Sequence, residues 1–199
     1  MRRSELVRRL AAVPEPAPGN PALEQVATPP EAAAELLLAA LADGNLESRS
    51  VVDLGSGTGR LAIGAALLGA RPVVGVEIDP ALAEVARRSA SRLGVDATFR
   101  PLDVADWTGR EEVVVMNPPF GAQRRHADRP FWTAALAVAD RMVYSFALAA
   151  GRPFVIARLA EAGARVEWTR AVPWALPRVF PHHTRARVPL DVDLWAVRA

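Results

Sequence analysis

Several residue types that support common protein chemistries are scarce or absent in this chain of 199 residues. It has no cysteine, which excludes disulfides, zinc–thiolate and iron–sulfur centres, and a cysteine nucleophile. It has three histidines, too few for a protein-held catalytic metal to be expected. No apolar run approaches the roughly 20 residues of a membrane-spanning helix, and charges interrupt the N-terminus where a signal peptide would be apolar. These absences predict a soluble, cytoplasmic protein that holds no metal.

Lysine is absent too, so all 24 basic residues are arginine, and the formal net charge is +2. Residues 1–112 contain 12 arginines and 16 acids, whereas residues 113–190 contain 11 arginines and four acids. A codon preference for arginine would scatter these residues without any functional reason. A basic second half is nevertheless typical of a surface that faces a polyanion, so the sequence favours contact with nucleic acid.

Predicted strands and helices alternate along most of the chain, which is the pattern of an α/β domain with a parallel sheet. The predicted strands are 50–54, 72–77, 97–102, 112–116, 142–146, 165–171 and 188–197. Three of them contain VVDL, VVGV and VVVM, apolar runs that suit a sheet covered on both faces. The last strand alternates apolar and polar residues, which indicates an antiparallel member. We therefore expect a Rossmann-like, doubly wound, mostly parallel seven-stranded sheet with an antiparallel C-terminal strand.

The first candidate site lies where the strand from Val51 runs into a glycine-rich turn that opens a helix. Its polar and glycine residues are Asp53, Gly55, Gly57, Thr58 and Gly59. Glycines let a ligand approach the backbone closely, and the amides at the start of a helix point into the same crevice. The spacing G-x-G-x-G differs from the dinucleotide fingerprint, whose later glycines accommodate a pyrophosphate. A nucleoside ligand without phosphates therefore fits this turn better.

Two acids at neighbouring strand ends support a nucleoside ligand. Glu77 ends the second strand, where it can accept hydrogen bonds from both ribose hydroxyls. Asp103 follows the third strand, where it can accept from an exocyclic amine, although an aspartate there is also a common turn cap. An acid at the ribose also argues against a phosphorylated ribose.

The second candidate site is Asn117-Pro118-Pro119-Phe120, directly after the fourth strand. Open α/β sheets bind ligands at this edge. The consecutive prolines keep the loop extended, so the Asn117 carboxamide oxygen and the Pro118 carbonyl become fixed acceptors for an NH2 group. Phe120 offers a face on which a planar group can stack. The expected target is an amine attached to a planar π system.

With these motifs the chain resembles the class I S-adenosylmethionine-dependent methyltransferases, and among them enzymes with an N/D-P-P-Y/F/W motif that methylate amino nitrogens. LEQVAT at 23–28, the glycine turn, N-P-P-F-G and the ending L-D-V-D-L are similar to the small N6-adenine ribosomal RNA methyltransferases, the methyltransferase-like protein five group and its archaeal relatives. This resemblance implies an N-terminal arm and cofactor lid over 1–28 and a methyltransferase domain over 29–199. The residues expected to contact S-adenosylmethionine are Gln25, Thr28, Asp53, Gly55, Gly57, Thr58, Gly59, Arg60, Glu77, Asp103, Val104 and Asn117. The residues expected to act in catalysis are Asn117, Pro118, Pro119 and Phe120.

The chemistry that the resemblance implies needs no strong base, because a sulfonium methyl is already activated for transfer. The enzyme must mainly place the target nitrogen in line with that methyl group. An adenine inside a duplex cannot reach such a pocket, so the target base is expected to be flipped or unpaired. The family also implies a small zinc-ribbon activator protein, which would pair with a free sheet edge near 97–102.

Two clusters of basic residues flank the catalytic loop and are candidates for binding an RNA backbone. The first cluster follows the loop and the second precedes the last strand. The candidates are Arg124, Arg125, Arg129, His182, His183, Arg185 and Arg187. A solvated loop would also explain the first cluster, and a strand-connecting hairpin with incidental arginines would explain the second.

The sequence thus favours an S-adenosylmethionine-dependent N6-adenine methyltransferase that acts on structured RNA, with small-subunit ribosomal RNA as the expected substrate. Protein glutamine and DNA adenine methyltransferases share the Asn-Pro-Pro chemistry and are the first alternative. The former usually have tyrosine after the prolines and a helical domain in front, and the latter usually add a recognition domain. Neither extra domain fits a chain with about 50 residues before its first strand. A second alternative is an RNA-binding assembly module without turnover, although the intact loop argues against it.

Overall fold

The computed structural model describes residues 1–16, 27–120, 127–177 and 187–199, without the side chains of 175–177 and 187–189. Several candidate residues therefore lie outside the described residues: Gln25, Arg124, Arg125, His182, His183, Arg185 and the side chain of Arg187. Within the described ranges, no helix has the length and apolar character that crossing a membrane requires.

The described residues form one mixed sheet of seven strands. The strands are β1 (Val51–Leu54), β2 (Val73–Glu77), β3 (Thr98–Pro101), β4 (Glu111–Met116), β5 (Ala139–Leu148), β6 (Arg165–Pro177) and β7 (Arg187–Arg198). Their spatial order is β3-β2-β1-β4-β5-β7-β6. The first five strands run parallel, and β7 pairs antiparallel with β5 and β6. The predicted α/β architecture, including the antiparallel C-terminal strand, is confirmed.

Helices cover both faces of the sheet. The helices are α1 (Arg3–Ala11), α2 (Pro30–Ala42), α3 (Arg60–Leu67), α4 (Pro80–Leu93), α5 (Arg129–Val138) and α6 (Arg152–Ala162). The first four share a core on one face, and the last two share a core on the other. Within β4, Val113 and Val115 belong to the first core, whereas Val114 and Met116 belong to the second. Because successive side chains of a strand point to opposite faces, an uninterrupted apolar strand serves both cores.

Helix α1 packs into the first core. Leu6 and Leu10 are completely buried, and Val13 just after the helix is buried as well. These apolar side chains recur every three or four residues, which places them on one face of the helix. We call residues 1–16 and 27–29 the N-terminal segment. Helix α1 holds the first part of this segment against the rest of the domain.

Two strands, β5 and β6, are longer than the sequence predicts by five residues or more. β6 continues through Pro173 to Pro177 instead of ending at 171. It is the outermost strand of the sheet, where a missing N–H costs no bond to a further neighbour, so prolines are tolerated. β5 covers Ala139–Leu148 instead of 142–146, because β4 and β7 pair with it on its two sides.

The long outer strands form a two-stranded ribbon beyond the end of the sheet. We call residues 173–177 and 187–191 the β6–β7 ribbon. Leu148, the last residue of β5, is level with Val192, and β6 and β7 stay paired from there to Pro177 and Arg187. Five residues from Val192 to Arg187, at about 3.4 Å each, carry the ribbon about 17 Å past β5. The ribbon leaves the sheet at the edge where the parallel strands end.

Candidate active site

The two candidate motifs meet at the carboxyl edge of the sheet. Leu54 at the end of β1 is paired with Val76 of β2 on one side and with Met116 of β4 on the other. The strand order reverses here, because β2 and β3 lie to one side of β1 while β4 and β5 lie to the other. Ligands of open α/β sheets bind in the crevice at such a point. The glycine turn after β1 and the loop after β4 both begin at this crevice.

The glycine turn, residues 55–59, is held in shape by the end of β2. The backbone N–H groups of Gly55 and Ser56 both donate to the carbonyl of Val76, at 2.8 and 2.9 Å. Gly57 has φ of +54°, and a Cβ built there would have no atom within 4 Å. The backbone at Gly57 therefore borders open space, where a ligand can approach it closely.

Phe131 of α5 closes one side of the glycine turn. A Cβ on Gly55, whose φ is +72°, would lie 2.6 Å from Cε1 of the Phe131 ring. Only glycine combines that backbone conformation with so close a ring. The sequence patterns give no role to Phe131, because its contact with Gly55 depends on how α5 packs. This contact brings the first turn of α5, including the exposed Arg129, to the rim of the crevice.

Glu77 ends β2 with a buried carboxylate that is held by backbone amides. Its two oxygens accept the N–H of Gly57 at 2.7 Å and the N–H of Asp79 at 3.0 Å. Burial raises the pKa of Glu77 above its ordinary value, while these two amide hydrogen bonds oppose the shift. Each oxygen keeps a further acceptor site, so the carboxylate can still receive hydroxyl donors.

Asp53 places a second acid under the glycine turn. One oxygen, Oδ2, accepts the N–H of Ala62 at 2.9 Å, and within the described part of the chain Oδ1 has no hydrogen-bond partner. Burial, opposed by the Ala62 amide and reinforced by the negative charge of Glu77, raises the pKa of Asp53 to about 7. The nearby Ser56 hydroxyl is also buried without a partner among the described residues. Buried polar atoms of this kind are costly unless a ligand satisfies them.

The opposite end of the crevice is shaped by the residues that follow β2 and β3. Asp103 is exposed and caps a short 3-10 helix by accepting the N–H of Ala105 at 2.9 Å. It also follows β3 at the carboxyl edge of the sheet, so it combines the cap role with the position predicted for it. Val104 beside it is buried. Ile78, directly after Glu77, leaves 49% of its surface exposed, although it is a large apolar residue. No sequence pattern singles out Ile78. The one local feature that could have indicated it is an apolar residue directly after the acid that ends β2.

The N-P-P-F loop is fixed from two sides. Nδ2 of Asn117 donates to the hydroxyl oxygen of Thr28 at 3.0 Å, so the N-terminal segment touches the loop. The Phe120 ring packs edge-to-face on Trp174 of the ribbon at 5.5 Å, and Trp174 packs in the same way on Phe146 at 4.9 Å. These aromatic pairs fix the plane of the Phe120 ring. Neither tertiary contact has a local sequence signal.

Arg60, the first residue of α3, points its guanidinium at the N-terminal segment. It donates from Nε to the carbonyl of Leu10 at 3.2 Å, from Nη2 to that of Val13 at 2.7 Å, and from Nη1 to that of Thr28. Burial lowers the pKa of Arg60 from its ordinary value, but an arginine stays charged. Among the described residues, the hydrogen bonds of its guanidinium are thus with the N-terminal segment.

The residues of the crevice fit S-adenosylmethionine. Its ammonium and sulfonium groups are cationic, and the buried acid Asp53 beneath the glycine turn has one oxygen without a hydrogen-bond partner in the part of the chain that the structure describes. Its ribose has two hydroxyls, and Glu77 has acceptor capacity left. The backbone N–H of Gly57 donates to Glu77, and a Cβ built on Gly57 would have no atom within 4 Å. The backbone beside Glu77 therefore borders open space that the ligand can enter. Thr58 is buried and lines a groove between residues 14–16 and α4.

Comparison with known proteins identifies the family of this chain. The family model for the methyltransferase small domain matches residues 28–145. The rRNA N(6)-adenosine-methyltransferase of Drosophila melanogaster is 30% identical over 181 residues, covering 87% of this chain and 85% of that protein. The crystal structure of a candidate RNA methyltransferase from Pyrococcus horikoshii is 35% identical with a TM-score of 0.90, covering 100% of this chain and 96% of that chain.

A second solved structure shows the same fold with the methyl donor bound. It is the magnesium protoporphyrin IX methyltransferase of Synechocystis PCC 6803 with bound S-adenosylmethionine, 22% identical with a TM-score of 0.67, covering 84% of this chain and 78% of that chain. At this identity the likeness concerns the fold alone. The family model and the full-length relatives carry the assignment: the chain belongs to the methyltransferase small domain family and is an S-adenosylmethionine-dependent methyltransferase.

Proposed function

We propose that this chain methylates N6 of an adenine in ribosomal RNA, and that the substrate is small-subunit RNA. The observation that carries the proposal is the position of the N-P-P-F loop at the end of β4, one strand away from the glycine turn after β1. The Drosophila relative, an rRNA N(6)-adenosine-methyltransferase, supports the choice of substrate. A ribosomal substrate also supports a cytoplasmic location.

We propose that Asn117, Pro118, Pro119 and Phe120 act on the target base. The Asn117 carboxamide oxygen and the Pro118 carbonyl accept hydrogen bonds from the adenine NH2 group and hold its nitrogen in place. Phe120, whose ring plane is fixed by Trp174, supports the flipped base. No protein base is needed, because the proton can leave to solvent after transfer. Catalysis then consists mainly of positioning.

We propose that the crevice binds the methyl donor along its length. Asp53 and the turn residues Gly55, Gly57, Thr58 and Gly59 face the methionine part. Glu77 accepts the ribose hydroxyls, and Asp103 with Val104 meets the adenine, whose face the exposed Ile78 covers. When bound, S-adenosylmethionine supplies an activated methyl group. Gln25 and Thr28 belong to the proposed lid, and Arg60 acts through the N-terminal segment.

We propose that the RNA backbone passes over the rim formed by α5 and the β6–β7 ribbon. The exposed Arg129 lies within one helical turn of Phe131, which touches the glycine turn. The ribbon is tied to the catalytic loop through Trp174 and Phe120, and its β7 strand begins at Arg187. The remaining proposed contacts are Arg124, Arg125, His182, His183 and Arg185. Such residues would supply the salt-dependent, sequence-independent part of RNA affinity.

We also propose that residues 1–28 act as arm and lid, that 29–199 form the methyltransferase domain, and that a small zinc-ribbon activator pairs with β3. The strand order leaves β3 (Thr98–Pro101) with a neighbour on one side only, which supports strand addition at this edge. Size-exclusion chromatography and a methyl-transfer assay on the isolated chain test whether it needs the activator. An isolated chain that is monomeric, soluble and fully active would contradict the need for it.

Glutamine methylation is the alternative that shares this chemistry. A protein glutamine carries its amide on a flexible aliphatic stem and has no ring, whereas the Phe120 ring of this loop suits stacking against an aromatic base. The basic rim also favours a polyanion over a neutral peptide.

The experiment is methyl transfer from labelled S-adenosylmethionine to separated ribosomal subunits, DNA and protein, by the wild type and by Asn117→Ala and Asn117→Asp. The alanine variant should lose turnover by more than about 100-fold, because an essential acceptor is missing, while cofactor affinity stays within about twofold. The aspartate variant keeps two acceptor oxygens and should retain part of the activity. Unchanged methylation by Asn117→Ala would contradict the mechanism.

A further inference from the structure

A continuous set of hydrogen bonds joins the glycine turn, the N-terminal segment and the catalytic loop. Arg60 follows the glycine turn directly and donates to the carbonyl of Thr28. The hydroxyl oxygen of Thr28 in turn accepts from Nδ2 of Asn117 at 3.0 Å. Thr28 is only 9% exposed, so water competes little for either bond. Two residues that lie 89 positions apart in the chain, Thr28 and Asn117, are thereby held in fixed relation.

The bond to Thr28 has a specific chemical consequence for Asn117. A carboxamide has two ends of similar size, one an acceptor and one a double donor, and rotation by half a turn exchanges them. Only the oxygen end can receive the NH2 group of an adenine; the nitrogen end would place donor against donor. In the structure the Thr28 hydroxyl accepts from Nδ2, which turns the carboxamide oxygen away from Thr28. A hydroxyl can also donate, so this orientation depends on the Thr28 hydroxyl hydrogen pointing away from Asn117.

Arg60 fixes the partner that does the orienting. Its guanidinium spans the carbonyls of Leu10, Val13 and Thr28, so the backbone at Thr28 is tied to the buried end of α1. A planar guanidinium with donors on all three nitrogens suits this task, whereas a lysine ammonium offers a single point of contact.

We propose that Thr28 is a positioning residue that sets the orientation of the Asn117 carboxamide, and that Arg60 holds Thr28 in place for this role. The proposal rests on the proposed function of Asn117 as an acceptor for the target amine. It gives the N-terminal segment a part in methyl transfer beyond covering the cofactor.

The first test observes the Asn117 amide by NMR in the full chain without RNA. The chain has three asparagines and two glutamines, so the Asn117 side-chain signal is identified by its loss in Asn117→Asp. In Thr28→Val, which keeps the shape but removes the acceptor, the Asn117 amide protons should shift and exchange about tenfold faster. Thr28→Ser should restore the wild-type signal. Asn45 is the internal control, because its Nδ2 donates to the Tyr144 hydroxyl at the same 3.0 Å.

Arg60 is tested in the same spectra with a matched arginine. Arg60→Lys should perturb the Asn117 signal in the direction of Thr28→Val. Arg92→Lys should leave it unchanged, although Arg92 also ties the N-terminal segment, donating to the carbonyl of Ala12 at 2.8 Å. An equal effect of both substitutions would overturn the role of Arg60.

The second test is a double-mutant cycle on methyl transfer. Thr28→Val should lower kcat about tenfold with asparagine at 117, and Thr28→Ser should recover most of that loss. In the Asn117→Asp background the loss should fall below about twofold, because the two oxygens of a carboxylate are equivalent and need no orientation. An equal loss in both backgrounds would overturn the proposal, since it would mean that Thr28 acts only on the cofactor or on folding.

The two tests separate this proposal from the proposed function. An unchanged Asn117 signal in Thr28→Val overturns the positioning role whatever the substrate is. A shifted and faster-exchanging Asn117 signal in Thr28→Val, together with no methyl transfer to any RNA by the wild type, supports the contact and overturns the proposed function of the loop.

Discussion

The buried acid under the glycine turn makes a prediction that links stability to pH. Asp53 is almost completely buried, and its pKa is raised from 3.8 to about 7, chiefly by burial. Such a rise corresponds to about 4 kcal/mol of preference for the protonated carboxyl in the folded protein. Asp53→Asn mimics the protonated form in shape and charge. It also keeps an oxygen for the Ala62 amide, which Oδ2 now serves.

The sign follows from the direction of the shift. Below pH 3.8 Asp53 is protonated in both the folded and unfolded states and contributes no penalty. As the pH rises towards about 7, the unfolded chain releases this proton while the folded chain keeps it, so the free energy of unfolding falls. Above that pH the penalty is constant. Asp53→Asn removes this penalty. The stability advantage of the variant over the wild type should therefore grow by about 2–3 kcal/mol from pH 5 to pH 8.

Urea denaturation at pH 5 and pH 8, followed by circular dichroism, measures this difference. Asp96→Asn is the control, because Asp96 is exposed and its substitution should change stability by less than about 0.5 kcal/mol at either pH. If the free energies of unfolding of wild type and Asp53→Asn differ by the same amount at both pH values, burial does not raise the pKa of Asp53.

A second readout is calorimetry at pH 6 in buffers of different ionisation enthalpy. Cofactor binding should release up to about one proton from the wild type and none from Asp53→Asn, if the methionine ammonium meets Oδ1.

Three further results are expected. Glu77→Gln should weaken S-adenosylmethionine binding about 10- to 100-fold in titration calorimetry, because it replaces a charged acceptor with a donor on one side; unchanged affinity would remove Glu77 from the ribose site. Gly55→Ala should lose more stability than Gly94→Ala in thermal unfolding. Both glycines have positive φ, but only at Gly55 would the new Cβ meet the Phe131 ring, so equal losses would contradict the packing. Arg129→Gln should lower the slope of log RNA affinity against log salt by about 1, whereas an unchanged slope would place the RNA elsewhere.

The sequence predicts the parts of this molecule that depend on local pattern. Apolar strands without alternation predict a parallel sheet covered on both faces, and the alternation in 188–197 predicts the antiparallel strand, because burial on one or two faces dictates those patterns. The positions of Glu77 and Asn117 at strand ends follow from the same reasoning. The predicted end of β6 at 171 falls short, since the strand continues through Pro173 at the outer edge of the sheet, where no further strand needs the missing N–H.

The contacts that shape the candidate site are not predictable in this way. Thr28 reaches Asn117, and Phe131 reaches Gly55, through the packing of segments that are far apart in the chain. A threonine before two prolines and a phenylalanine in a helix each have many possible roles. Arg60 has a local sequence position that suggests the cofactor, yet its guanidinium is directed at carbonyls of the N-terminal segment. Such contacts depend on tertiary structure, which a linear pattern does not encode.

The proposed reaction transfers the methyl group to N6 of an adenine. It is tested by nucleoside analysis by mass spectrometry of RNA methylated by the purified chain with labelled S-adenosylmethionine. We expect the label to be recovered as N6-methyladenosine from small-subunit ribosomal RNA, and Asn117→Ala to abolish it. Label recovered in another nucleoside, or in protein glutamine instead of RNA, would contradict the proposed reaction.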